Sequence, residues 1–198
     1  SSRACRGAAR RGATPLPRAW RQPWSNRAPN GVASCSGTLR GMPDQRPVFT
    51  ITPATPADVP LVRAFIRELA EFEKLAHDVT ATDADLQEAL FGPDHVAHAV
   101  IARTAAGEPA GFALYFFNFS TFVGRPGLYL EDLFGRPAFR RMGLGRQLLA
   151  HLAGIAVSRG CSRMEWVVLD WNTQAIAVYQ AIGARPMDEW TVQRLTGE

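Results

Sequence analysis

The stretch "FRRMGLGRQLLAHLAGIAVSRG", residues 139–160, constrains the fold more than any other part of the chain. It opens on a strand end, passes through a glycine turn and continues as a long amphipathic helix over 144–159. The strand "GLYLEDLFG" lies just before it and the strand "RMEWVVL" just after. Two strands joined through a helix must run parallel, because the helix returns the chain to the starting end of the sheet. One βαβ crossover is therefore fixed.

The other elements are arranged around that crossover. "FTITPA" alternates like a strand. In "TPADVPLVRAFIRELAEFEKL", Thr55 reads as an N-cap, with Pro56 at the first helical position and Asp58 at the third. Val59, Leu61, Val62, Phe65, Ile66, Leu69 and Phe72 then recur at helical spacing. "TDADLQEALFG" repeats the pattern, with Thr82 as cap, Asp85 three residues on and Gly92 as the stop. "AHAVIAR" and "AGFALYFFNFS" flank "TAAGEP" and read as a hairpin. A short helix from about Thr173 to Ile182 is capped by Asn172 and ended by Gly183, and "EWTVQRL" reads as a last strand. The expected order is β α α β β β α β α β: an α/β domain with a mixed, mostly antiparallel sheet flanked by helices, over residues 48–198.

Charge is unevenly placed. Residues 1–41 hold eight arginines and no acid, so the overall +4 leaves −4 for residues 42–198. The first segment lacks any period of 2 or 3.6 and is crowded with Pro, Gly, Ser and Arg, which predicts a disordered extension over 1–47. Three accounts fit it: upstream sequence ahead of a start at Met42, an acid-free transit peptide, or a basic arm that meets anionic polymers. Its prolines favour the first. No nucleic-acid partner is expected for the domain itself.

No apolar run approaches the roughly 20 residues of a membrane span. Cys5, Cys35 and Cys161 are odd in number and form no CxxC, so a reducing, cytoplasmic setting is expected. His95 and His98 lie three apart without a nearby thiol or third ligand, so no metal site is expected.

Arg140-Arg141-Met142-Gly143-Leu144-Gly145 leaves amide N–H groups at a helix N-terminus, a geometry that suits phosphate, although a plain tight turn has the same spelling. A dinucleotide fingerprint would need a third glycine that "GLGRQL" lacks. A P-loop would need Gly-Lys-Ser/Thr, and the single lysine, Lys74, is far away in the chain.

Arg/Gln-x-x-Gly-x-Gly/Ala after a strand resembles the coenzyme A pyrophosphate loop of the GNAT acetyltransferase superfamily. "LYLEDLF", "WNTQAIAVYQAIGA", "FALYFFNFSTFVG" and "TPATPADVPLVRAFIRELAEFEK" are similar, in the same order, to the diamine (spermidine/spermine) acetyltransferase branch and its bacterial relatives. The match spans about residues 48–195. It implies an acetyl-CoA-dependent N-acetyltransferase acting on a small primary amine, with diamines or polyamines first and an amino-acid-type amine such as thialysine as the alternative. A non-catalytic acyl-CoA-binding module is a further alternative, disfavoured because both implied catalytic residues are present.

The resemblance also assigns roles. The donor's pyrophosphate would take amide bonds from Arg141, Met142, Gly143, Leu144 and Gly145, with Arg140 and Arg146 as nearby cations. Leu133, Phe134, Asn172 and Tyr179 would line the rest of the cofactor's path. Glu131 matches the family's base and Tyr179 its acid. The aromatic that usually precedes that tyrosine is here Val178. Asp132, next to Glu131, would face the opposite way on a regular strand. Glu71, Phe72, Glu73, Glu131 and Asp132 would form the acceptor side, with Asp170 as a further charge. An amino-acid acceptor would want a cation there, for which Arg125 is the candidate. Five phenylalanines between Phe112 and Phe122 exceed what one strand face needs, and with the family's habit they predict a homodimer.

Overall fold

A computed structural model describes residues 47–197. The expected disorder of residues 1–47 falls almost wholly outside that range. Strand β1 (Thr50–Pro53) is followed by a single 3-10 turn (Pro56–Asp58), helix α1 (Val59–Glu73) and helix α2 (Asp83–Phe91). Strands β2 (His98–Arg103), β3 (Pro109–Ser120) and β4 (Arg125–Gly135) form an antiparallel run with β1. Helix α3 (Leu144–Ser158), strand β5 (Met164–Glu165) and helix α4 (Thr173–Ala181) complete the order. The sheet runs β1-β2-β3-β4-β5, and only β4 and β5 are parallel, as the crossover required.

The caps are where the sequence put them. Thr82 accepts from the Asp85 amide at 3.2 Å and the Asp85 carboxylate accepts from the Thr82 amide at 2.9 Å. The Asp58 carboxylate accepts from the amide and hydroxyl of Thr55 at 2.9 and 2.6 Å. At its other end α1 stops at Lys74, which turns left-handed (φ 63°) and sends Leu75 N–H back to Ala70 O at 2.8 Å. That stop leaves Phe72 and Glu73 on the last turn of the helix.

Two apolar layers sandwich the sheet. On one face Leu144, Leu148, Leu149 and Leu152 of α3 pack on Val100, Ala113, Leu128 and Leu130. Burying those four leucines is worth roughly 6–12 kcal/mol at about 1.5–3 each. On the other face Val62 and Phe65 of α1 and Leu90 of α2 pack on Ile101, Phe112, Leu114 and Phe134.

Leu130 lies on the α3 layer and Phe134 on the α1 layer, four residues apart on one strand, so the alternation of β4 breaks between them. The register shows where: Leu114 pairs with Asp132 and Tyr115 with Leu130, leaving Glu131 as an extra residue. This is a β-bulge, which bends a strand and increases its local twist. The expected regular strand, with Asp132 facing opposite to Glu131, is corrected by it. Asp132 shares its face with Phe134 and so looks toward α1.

The bulge begins two residues past Tyr129, where the pairing of β4 with β5 ends. The long strand expected over 163–169 shrinks to Met164–Glu165, because β4 turns away and offers it no further partner. The strand expected at "EWTVQRL" is absent too. Trp190, Val192 and Leu195 stand 71, 73 and 100% exposed, since a strand with no neighbour to complete its ladder has little to hold it. No helix among the described residues is long and apolar enough to cross a membrane.

Candidate active site

The turn into α3 carries two left-handed residues, Arg141 (φ 65°) and Gly143 (φ 82°). Gly143 needs that freedom, whereas Arg141 adopts it against the usual steric cost of a Cβ. The first intrahelical bond of α3 runs from Gln147 N–H to Gly143 O at 3.0 Å, so the amides of Leu144 and Gly145 precede the helical ladder. A Cβ built on Gly145 would meet nothing closer than Leu133 Cδ2 at 3.7 Å, an ordinary contact. The space over that glycine is open. Orphan amides, two left-handed residues and the positive end of a fifteen-residue helix suit an anion such as a pyrophosphate. Arg140, Arg141 and Met142 are exposed around it.

Past Tyr129, β4 keeps β3 on one edge and loses β5 from the other, so the backbone of Leu133 and Phe134 borders a gap. A thioester arm leaving the turn can run along that edge. The Phe134 side chain takes no part, being buried against Phe65 with ring centroids 6.4 Å apart. Leu133 packs partly against the α3 layer.

The bulge also gathers charge. The Asp132 carboxyl is pushed up to about 6 by burial, then by the neighbouring Glu131 and by Glu73 of α1. Burial raises the Glu73 carboxyl as well. Burial raises the Tyr179 hydroxyl, with Glu73 adding to the effect, and the Tyr179 ring meets Trp166 edge-on at 5.0 Å. Asp132, Glu73 and Tyr179 come from a strand and two helices distant in sequence, yet Asp132 and Tyr179 both sense the charge of Glu73. Glu131, on the bulge itself, is exposed.

Phe72 lies at the rim. Its ring is 5.7 Å from that of Trp171, and the Arg140 guanidinium covers it at 4.7 Å. The turn, the end of α1 and the start of α4 therefore meet at one aromatic ring. Glu71 does not join them, because it is on the exposed side of the helix end. Asn172 caps α4, its side-chain oxygen accepting from the Ala175 amide at 3.3 Å. Asp170 is exposed. Arg125, paired with Ser120 at the opposite end of β4, is six residues or roughly 20 Å of strand from Glu131 and cannot serve this site. Sequence reasoning missed Trp171 and Trp166. The first had a legible signal, a large aromatic directly before a helix cap.

These parts match known proteins. The Acetyltransferase (GNAT) family model matches residues 63–184. The chain belongs to that family. It is accordingly an acetyltransferase. The thialysine N-epsilon-acetyltransferase of Bos taurus is 37% identical over 158 residues, covering 75% of this chain and 92% of the relative. The spermidine/spermine N(1)-acetyltransferase-like protein 1 of Homo sapiens is 32% identical over 142 residues, 69% of this chain and 20% of that protein. Among solved structures, a V. cholerae integron cassette protein superposes with a TM-score of 0.62 at 29% identity, covering 75% of this chain and 93% of that one. The GNAT fold and the diamine-acetyltransferase-like branch expected from the motifs both hold.

Proposed function

We propose that this acetyltransferase moves the acetyl group of acetyl-CoA to a primary amine at the end of a short cationic acceptor. The observation that carries the proposal is the grouping of Asp132, Glu73 and Tyr179 at the β4 bulge, beside the anion-binding turn. The donor's pyrophosphate sits on the amides from Arg141 to Gly145 with Arg140 and Arg146 nearby, and its arm follows the open edge of β4 at Leu133 and Phe134.

An alkylammonium near pKa 10.4 costs about 4–5 kcal/mol to deprotonate at pH 7, so the site needs a base. A base works best when its own pKa is near the working pH. Asp132 at about 6 fits that role better than an ordinary carboxylate. Glu131, the family-type base, is its immediate neighbour on the bulge and shares the proton's path. The amine nitrogen bonds to the acetyl carbon as the carbon–sulfur bond breaks. One proton passes from the ammonium to the carboxylates before attack. Tyr179 gives its hydroxyl proton to the departing thiolate, and the second proton shed by the acylated nitrogen restores the tyrosine hydroxyl. Trp171 offers a ring face beside Phe72, whose own face Arg140 covers, and Glu73 offers a charge to the rest of a cationic acceptor.

Relatives that match over most of their length are named for thialysine or L-ornithine, which supports an amino-acid-type acceptor ahead of the polyamines that the motifs alone put first. The molecule works as a homodimer in this reading, with Phe119 and Phe122, 61 and 96% exposed, toward the partner. The test is free-thiol release from acetyl-CoA with thialysine, ornithine, putrescine, spermidine, spermine and no acceptor. Turnover with a primary amine that collapses in Asp132→Asn and Tyr179→Phe supports the proposal. Full turnover in both variants refutes it.

A further inference from the structure

One ion pair outside this machinery ties its two halves together. Arg136, directly after β4, donates to the Glu68 carboxylate of α1 at 2.7, 3.1 and 3.2 Å and to Pro109 O at 3.1 Å. Its guanidinium also lies 4.8 Å from the Phe65 ring centroid. The arginine–ring contact repeats with Arg140 over Phe72, four residues on from Arg136 and seven, or two helical turns, on from Phe65. Phe65, Glu68 and Phe72 follow at spacings of three and four, so they share one face of α1. Two arginines four apart thus grip that face, from the exit of β4 to the lip of the turn.

We propose that Glu68 and Arg136 are positioning residues: their ion pair holds the last turn of α1 over the exit of β4, so that Glu73 stays beside Asp132 and Tyr179. Without it the last turn of α1, ending in the left-handed Lys74, depends on the Phe72 contacts with Arg140 and Trp171. Those contacts lack the directed hydrogen bonds of the ion pair and let Glu73 shift away from Asp132. The groups that act on Asp132 are Glu131 from its own strand and Glu73 from α1, with Tyr179 of α4 sensing Glu73 from the far side. Glu68 and Arg136 touch none of the reacting atoms and act only by keeping Glu73 in place. The inference rests on the reading of Asp132 as base.

The experiment measures kcat/KM against pH with the best acceptor for wild type, Glu68→Gln, Arg136→Gln and the swap Glu68→Arg/Arg136→Glu. Drawing Glu73 away removes a negative charge from Asp132, so the acid limb of each single variant moves to lower pH. Acceptor KM rises on the order of tenfold, a usual coupling for one severed pair, while calorimetric affinity for acetyl-CoA holds. The swap recovers both quantities in part. An acid limb and acceptor KM that stay at wild-type values, with only the melting temperature lowered, overturn the proposal and leave the pair a plain structural brace. Should the single variants fail to fold, Glu68→Asp keeps the charge, shortens the reach and is judged on the same two readouts. Asp132→Asn runs in parallel. If its profile keeps the acid limb, the base reading fails, and the positioning role is decided by acceptor KM and its recovery in the swap.

Discussion

Tyr129 and Glu165 form the last pair at which β4 and β5 lie side by side, and Glu131, two residues on, is the bulge. The two facts act together. The bulge opens the edge of β4 along which a thioester arm can lie, and the same extra residue turns Asp132 toward α1 and into the company of Glu73. One inserted residue thus accompanies both the open edge of β4 and the raised carboxyl.

The raised carboxyl has a cost that can be measured. Asp132 titrates at about 6 in the fold and near 3.9 when unfolded. Between those values the folded state binds the additional proton, so the contribution of Asp132 to stability is greatest below about pH 4 and falls as pH rises toward 6. At 1.36 kcal/mol per unit the loss above pH 6 reaches roughly 3 kcal/mol. Asp132→Asn, which carries no charge at any pH, should melt higher than wild type at pH 8 and close to it at pH 4. Its acetyl transfer should fall roughly 10²–10⁴-fold. Thermal melts at the two pH values check the first statement and thiol release the second.

The two glycines of the turn should respond differently. Gly143 sits at φ 82°, where a Cβ costs about 1–2 kcal/mol, so Gly143→Ala should lower the melting temperature by a few degrees. Gly145 has ordinary helical backbone and open space above it, so Gly145→Ala should melt like wild type. Its methyl group would stand where the pyrophosphate is to lie. Calorimetry should therefore show weakened acetyl-CoA binding in both variants, with folding damaged only in the first.

How much of this was legible in the sequence follows from which forces are local. Caps, turns and helical faces depend on a few neighbouring residues, so Thr82 with Asp85, the Gly143 turn and the span of α3 read directly. The bulge does not read that way. Nothing in "LYLEDLFG" marks Glu131 as extra, because the break in register is set by what β3 and the two apolar layers demand of Leu130 and Phe134. Asp132 therefore looked as though it faced away from Glu131, whereas the bulge turns it toward α1. The strands at 163–169 and 189–195 were overread for a related reason. An alternating pattern states that a segment could pair, whereas pairing needs a neighbour in register.

The helix caps supply a test of the local part alone. Thr82→Ala removes the acceptor for the Asp85 amide and the hydroxyl that donates to the Asp85 carboxylate. A loss of about 1 kcal/mol is expected, seen as a lower denaturation midpoint with an unchanged slope. Acetyl transfer should keep its rate, because α2 lies away from the bulge and the turn.

Tyr179→Phe separates chemistry from packing. The ring keeps its edge-on contact with Trp166 and its place against the α3 layer, and only the hydroxyl is lost. That hydroxyl is held above the ordinary tyrosine range by burial and by Glu73, so it stays protonated across the working pH range and is available to the thiolate. The variant should melt within a degree or two of wild type, bind acetyl-CoA normally and lose roughly 10²–10⁴-fold in kcat. The deficit should shrink as pH falls and water protonates the leaving thiolate more readily. A kcat deficit constant from pH 6 to 9 would instead assign Tyr179 to holding the thioester in place rather than to giving up its proton.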